Sequence, residues 1–144
     1  DREGDEDADD EGRLDLRFLL LDRHQKPPPY FAVEAKRLHV TSKGHWRSRV
    51  PEYVTHRQGM MCFIEGRYSK ELRSGGMLGY VFDGDVSRAA SSISEHLVSH
   101  QSQLKSVQPH LLNRASDFPT DTVWTTIHTV DGHPFTLFHI LTEV

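Results

Sequence analysis

Apolar and polar positions alternate along Arg13-Leu-Asp15-Leu-Arg17-Phe-Leu-Leu-Leu21, so that Leu14, Leu16, Phe18 and Leu20 share one face and Arg13, Asp15 and Arg17 the other. This period of two predicts a β-strand. A second apolar run, Tyr30-Phe-Ala-Val33, continues directly into Glu34-Ala-Lys36. Between the two lies Asp22-Arg-His-Gln-Lys-Pro-Pro-Pro29, a polar, proline-rich segment that neither a helix nor a ladder tolerates. The two runs therefore read as a β-hairpin. A fold-back centred in that segment sets Asp15 across from the Glu34–Lys36 region, with Cβ separations of about 5–8 Å.

Residues 41–49 read as a polar loop containing Trp46. A helix follows, with Ser48 as its N-cap and Pro51 in the first turn, running to about Gly66 with Val50, Tyr53, Val54, Met61, Phe63 and Ile64 inward. Gly59 inside that helix costs about 0.8–1.0 kcal/mol relative to Ala, which implies a close approach by a strand or a nucleic-acid backbone. Ser74-Gly-Gly76 predicts a turn, and Met77–Phe82 a short, continuously apolar strand of the kind found at the centre of a sheet. Asp85 is the expected cap of a second amphipathic helix through about Leu104, with Ala89, Ile93, Leu97 and Val98 inward. Two strands over 122–129 and 135–141 flank Val130-Asp-Gly-His133, where Asp-Gly is a strong hairpin signal. The order ββ-α-β-α-ββ is that of an α/β protein.

The chemistry centres on Glu34 and Lys36. Side chains at i and i+2 of a strand share a face, so the carboxylate and the ammonium project together. Ionised groups beside a sheet core are costly unless paired or bound to metal. A carboxylate that holds a divalent cation, with a lysine beside it to handle a water, is a hydrolytic arrangement. The plainer alternative is a strand end where a Glu–Lys pair meets solvent. Asp22 competes with Asp15 as the second acid, but it is seven residues from Asp15 and falls in the loop.

The order Asp15, eighteen intervening residues, Glu34-x-Lys36 resembles the PD-(D/E)xK nuclease superfamily, with its restriction-endonuclease-like fold. The blocks Phe31–Leu38, Tyr53-x5-Gly59-Met, Phe63–Tyr68 and Gly75–Val81, with His139 in a terminal apolar strand, are similar to a group of small bacterial members. The likeness spans about residues 13 to 142, with Leu14 in place of the motif's proline, a departure that many members tolerate. It implies a central mixed sheet with flanking helices and a catalytic set of Asp15, Glu34 and Lys36. Asp15, Glu34 and the carbonyl of Ala35 would ligate Mg²⁺ or Mn²⁺, and Lys36 would hold the attacking water. The implied activity is DNA phosphodiester hydrolysis, in phage defence or restriction. The superfamily core opens with a helix and a strand ahead of the Asp-bearing strand, whereas twelve residues precede Arg13 here. The upstream helix is thus expected to be absent from this chain, with target choice left to an upstream region or a protein partner. Oligomerisation is compatible with this reading. The competing function is a catalytically silent, nuclease-like module that binds nucleic acid or protein.

At 144 residues the chain can bury a core without staples. Its single cysteine, Cys62, lies in an apolar helical run and reads as a small core residue, which suits a reducing cytoplasm. No apolar run reaches the roughly 20 residues of a membrane span. The net charge of −4 is uneven: residues 1–12 carry eight acids and one Arg, leaving 13 acids against 16 Lys and Arg over 13–144. The first segment reads as a disordered acidic tail or linker and the remainder as the nuclease-like domain. Arg17, Arg37, Lys43, Arg47 and Arg57 would form a phosphate-contacting rim, or else an ordinary soluble surface. Gly75-Gly-x-x-Gly79 is expected to serve a turn and close packing. His96 and His100 have the i, i+4 spacing of a zinc pair, but without a third ligand nearby they read as a solvated helix face. His128 and His139 alternate with apolar residues and are expected to be hydrogen-bonded structural histidines.

Overall fold

The structure is a computed structural model that describes residues 16–19, 30–66 and 72–144. Along the chain run β1 (Leu16–Leu19), β2 (Tyr30–Leu38), β3 (Val40–Ser42), β4 (His45–Arg47), α1 (Val50–Val54), α2 (Met61–Ile64), β5 (Ser74–Val81), α3 (Val86–Ser99), β6 (Asn113–Arg114), β7 (Val123–Val130) and β8 (His133–Glu143). The architecture is α/β. Six strands form one mixed sheet in the order β1-β2-β5-β8-β7-β6, and β3 and β4 form a separate hairpin.

At the centre of the sheet, β5 runs parallel to both β2 and β8. Its helix-facing residues Gly75, Met77, Gly79 and Val81 are buried, whereas on the other face Leu78 is half-buried and Tyr80 exposed. The continuous apolar run thus reflects the central place of the strand and not burial on both faces. The outer pairs, β1 on β2 and β7 on β8, are the antiparallel hairpins expected from the sequence. The β7–β8 turn is Asp131-Gly132, with φ of 51° and 76°, the two-residue geometry that matches strand twist. One face of the sheet carries the helices. Ala32 and Leu38 of β2, Met77 and Val81 of β5, and Leu137 and Leu141 of β8 pack there against Tyr53, Val54, Met60, Phe63, Ile64, Ile93 and Leu97.

Four local expectations are corrected. Residues 40–47 form the β3–β4 hairpin rather than a loop, turned by Lys43 (φ 52°) and Gly44 (φ 77°). The single helix expected to about Gly66 is two short helices, because the chain folds back at Gly59 against the end of the first. Met60 N–H donates to Tyr53 O at 2.9 Å, and a Cβ at Gly59 would overlap the carbonyl oxygens of Tyr53 and Glu52. Arg49, not Ser48, holds the N-cap position of α1, and Ser48 Oγ only accepts a long 3.4 Å bond from Val50 N–H. Ser74-Gly-Gly76 lies inside β5 instead of forming a turn, and Gly75 gives its space to the ring of Phe63.

The second helix starts as expected, Asp85 Oδ1 accepting from Arg88 N–H at 3.0 Å. It stops at Ser99, short of Leu104, with Ala89, Ile93 and Leu97 inward and Val98 turned out to solvent. Asn113–Arg114, pairing with Thr125 and Trp124, adds a short edge strand that has no sequence signal. Among the described residues no helix is long and apolar enough to cross a membrane.

Gly59→Ala tests the fold-back. The overlap is with backbone oxygens that cannot rotate away, so the substitution should destabilise by about 1–3 kcal/mol in urea unfolding, the usual range for overpacking. An unchanged midpoint would show that the close approach is not constraining.

Candidate active site

Glu34 is the fifth residue of the nine-residue strand β2 and is 2 % exposed. The solvent-facing strand end considered above is therefore excluded for the carboxylate. By the alternation of the strand, Glu34 and Lys36 share the helix-covered face with the buried Ala32 and Leu38. Glu34 pairs in register with Met77, and Met77 with His139 on β8; Lys36 pairs with Gly79, whose missing side chain leaves room for Leu38, Leu141 and the ring of Tyr53. The motif lies one strand in from the sheet edge, because β1 pairs with β2 on its outer side.

Asp15 lies outside the described residues. The register of β1 on β2 is described as far as Leu16 opposite Val33, the residues immediately after Asp15 and immediately before Glu34. Ala35 points to the opposite face and pairs in register with Leu78. Among the described residues no three His, Cys, Asp or Glu side chains converge on a common metal position. The donor that is described, a buried carboxylate, fits a hard divalent cation.

The expected cationic rim is only partly assembled. Arg37 alternates onto the face opposite Glu34 and Lys36, so it does not join their field, and Arg17 pairs with Ala32 across β1. Lys43 turns the β3–β4 hairpin and Arg47 lies on its second strand, its guanidinium 3.8 Å from Glu52. Arg57 is exposed between α1 and α2, where its carbonyl accepts from the buried Cys62 thiol at 3.1 Å.

His96 on α3 and His100 at its C-cap are both half-buried. The rings of His96 and His100 stack with centroids 4.2 Å apart, and His96 Nε2 hydrogen-bonds Thr55 Oγ1 at 3.1 Å, tying α3 to the end of α1. Burial, and then the neighbouring His100, lower the pKa of His96.

A buried polar chain lies on the same sheet face as Glu34. Tyr53 Oη meets His139 Nδ1 at 2.8 Å, His139 Nε2 meets Thr126 Oγ1 at 2.8 Å, Thr126 Oγ1 meets His128 Nε2 at 2.7 Å, and His128 Nδ1 meets the carbonyl of Leu104 at 2.8 Å. Tyr53, His128 and His139 are all 0 % exposed. A carbonyl can only accept, so His128 carries its proton on Nδ1 and leaves Nε2 as an acceptor. Thr126 then donates to His128, His139 donates from Nε2 to Thr126, and Tyr53 donates to His139 Nδ1. The four bonds run in one direction and require both histidines to be neutral.

Burial enforces that state. It lowers His128 from 6.5 to about 4, against a smaller raising effect of the Leu104 carbonyl, and lowers His139 to about 3, helped by His128. Burial also pushes the Tyr53 hydroxyl well above its ordinary value. The structural role expected for His128 and His139 holds, whereas the hydropathy pattern marks Tyr53 only as a core residue. The available signal is its hydroxyl, which must find a partner once the ring is buried.

No protein-family model, curated protein or solved structure matches the chain.

The histidines set a pH dependence. Both folded values lie below 6.5, so beneath that pH the unfolded chain binds protons that the folded chain refuses. Stability is complete above about pH 6.5 and falls as pH drops from there toward 4, by about 1.4 kcal/mol per pH unit per histidine. Between pH 7 and 5 the pair should cost about 4 kcal/mol in urea unfolding, and His139→Gln should remove about half of that dependence. Nitrogen NMR at pH 7 should find His128 as the Nδ1–H and His139 as the Nε2–H tautomer; a flat stability profile or the reverse tautomers would refute the assignment.

Proposed function

We propose that the chain is a metal-dependent nuclease of restriction-endonuclease-like type that hydrolyses nucleic-acid phosphodiester bonds. The observation that carries this reading is the position of Glu34: a carboxylate in mid-strand, 2 % exposed, with Lys36 on the same face. Apolar side chains would fill such a place at lower cost, and a charge is kept there only against a cation, hydrogen bonds or a metal. The order of the motif residues and the mixed α/β sheet support the superfamily assignment, with DNA the substrate that the resemblance implies.

In this reading Glu34, Asp15 and the carbonyl of Ala35 hold Mg²⁺ or Mn²⁺. A bound divalent cation would polarise the scissile phosphate and lower the pKa of a water. Asp15 is the second carboxylate because it directly precedes Leu16, whose register partner Val33 directly precedes Glu34. Lys36 donates hydrogen bonds to the attacking water and offsets the charge that gathers on the phosphate oxygens. Rigidity comes from the strand itself: β2 is paired on both sides, so the carboxylate and the ammonium keep their spacing without reorganisation.

Because Glu34 is buried in mid-strand, its near-isosteric variant is the informative one. Glu34→Gln and Asp15→Asn should each abolish Mn²⁺ binding in calorimetry and plasmid cleavage together. Lys36→Ala should keep the metal and lower turnover by about 10²–10³-fold, the usual effect of removing one transition-state donor. A wild-type chain inactive on plasmid and single-stranded DNA with either metal, or an activity that survives Lys36→Ala undiminished, would leave the silent binding module as the function.

A further inference from the structure

We infer that the β3–β4 hairpin is a pre-ordered arm that contacts the phosphate backbone of a nucleic-acid double helix. The partner class rests on the nuclease reading; the arm itself rests on separate observations.

The first is charge. Residues 35–51 hold Lys36, Arg37, Lys43, Arg47 and Arg49 and no carboxylate, in a chain whose net charge is −4. The hairpin itself carries Lys43 and Arg47, both exposed, while Arg49 is buried at its base and Lys36 and Arg37 belong to β2. Lys43 occupies its turn, and His45, Trp46 and Arg47 are all exposed. His45 and Arg47 share one face of β4, opposite Trp46. Three donor-bearing side chains thus stand on a two-stranded ribbon, an element that the roughly 12 Å major groove of a duplex admits between its phosphate backbones.

The second observation is a closed ring of contacts that fixes the arm. Trp46 Nε1 donates to Asp83 Oδ2 at 2.9 Å, Asp83 Oδ1 accepts from Asp85 N–H at 3.0 Å, and Asp85 Oδ1 accepts from Arg88 N–H at 3.0 Å. The Arg88 guanidinium returns over the Trp46 ring, 3.9 Å from its centroid. Within the ring His39 is fully buried, 5.1 Å from the Trp46 ring and with Nδ1 3.5 Å from Asp83 Oδ2. His39, with φ of 48°, is the residue at which the chain leaves β2 for the arm. Asp83 and Asp85 both take part in this ring, and Glu52 lies 3.8 Å from Arg47.

The third observation separates double from single strands. Proteins that hold single strands offer open aromatic faces on which bases stack. The aromatic residue of this arm has Arg88 over one face of its ring and His39 tilted against it, so a base cannot stack on the face that Arg88 covers. Backbone phosphates of a duplex match the arm's exposed cations.

The test uses the full chain in EDTA, with labelled DNA duplex, RNA duplex and single-stranded DNA of one sequence, read by anisotropy across a salt series. Both duplexes should bind more tightly than the single strand, and the tighter of the two identifies the natural source of the phosphates. Lys43→Ala with Arg47→Ala should reduce the slope of log affinity against log salt by about 1.8, that is about 0.9 for each phosphate no longer neutralised. Trp46→Leu keeps every charge but frees the arm, and should weaken duplex binding by up to about tenfold while the slope changes little. Lys105→Ala, an exposed cation outside the arm, should leave the slope unchanged. Duplex binding with an unaltered slope in the Lys43/Arg47 variant overturns the arm and leaves the nuclease reading standing. The expected slopes in a chain that cleaves nothing with Mg²⁺ or Mn²⁺ support the arm and remove the nuclease reading. Absence of duplex binding, or tighter binding of the single strand, overturns the arm.

Discussion

The Leu104 carbonyl accepts from His128 Nδ1 at 2.8 Å, and this bond sets the direction of every other polar contact in its chain. Reversing any one proton would leave two donors or two acceptors facing each other with no water to relieve them. A formed hydrogen bond contributes only about 0.5–1.5 kcal/mol net, but a buried group left unsatisfied costs about 1–3 kcal/mol. The chain is therefore strong as a constraint rather than as a source of stability. It joins α1 through Tyr53, β8 through His139, β7 through Thr126 and His128, and the segment after α3 through Leu104. Helices that touch the sheet only through apolar side chains could slide by a fraction of a turn. Tyr53 prevents this for α1, the helix that lies over β2 and so over Glu34.

Glycines set the thickness of that layer. Gly59 lets the chain after α1 fold back onto the helix end, Gly75 receives the Phe63 ring of α2, and Gly79 leaves space for Leu38, Leu141 and Tyr53. The absent side chains of Gly75 and Gly79 let the rings of Phe63 and Tyr53 approach the sheet. The Tyr53 hydroxyl reaches His139 at 2.8 Å because its ring can rest near Gly79. Close packing and the polar chain are thus one constraint, and a methyl group added at these positions would disturb both.

The strand pattern was largely legible in the sequence, because strands are set by short-range alternation and by turn residues. Both antiparallel hairpins, the Asp131-Gly132 turn, the apolar central strand and the Asp85 cap follow from such signals. Expectations failed where distant segments decide the outcome. Trp46 and its neighbours look like a polar loop until Asp83 and Arg88 are brought to them across 37 and 42 residues of sequence. The break at Gly59 depends on backbone oxygens of the preceding turn, which no hydropathy pattern records. Within the candidate site, the spacing of Glu34 and Lys36 marked a shared face, but only the structure shows that the carboxylate on that helix-covered face is buried. The place of Asp15 was inferred from fold-back alone, and it lies outside the described residues.

The arm and the buried carboxylate are consequences of the same strand. β2 carries Glu34 and Lys36, pairs in parallel with β5, and leads through His39 into the hairpin; the turn after β5 supplies Asp83, to which Trp46 is bonded. Both ends of the arm are thus referred to the same pair of strands, with no free linker between them. Lys43 lies nine steps along the chain from Glu34, so their Cα atoms cannot be more than about 30 Å apart, the rise of roughly nine nucleotides at 3.4 Å along one strand. On the nuclease reading, a backbone gripped at the arm would pass Glu34 within one turn of the duplex. A flexible attachment would let the grip slide relative to the carboxylate. The Trp46–Asp83–Asp85–Arg88 ring removes that freedom, tying the hairpin to the turn after β5 and the start of α3.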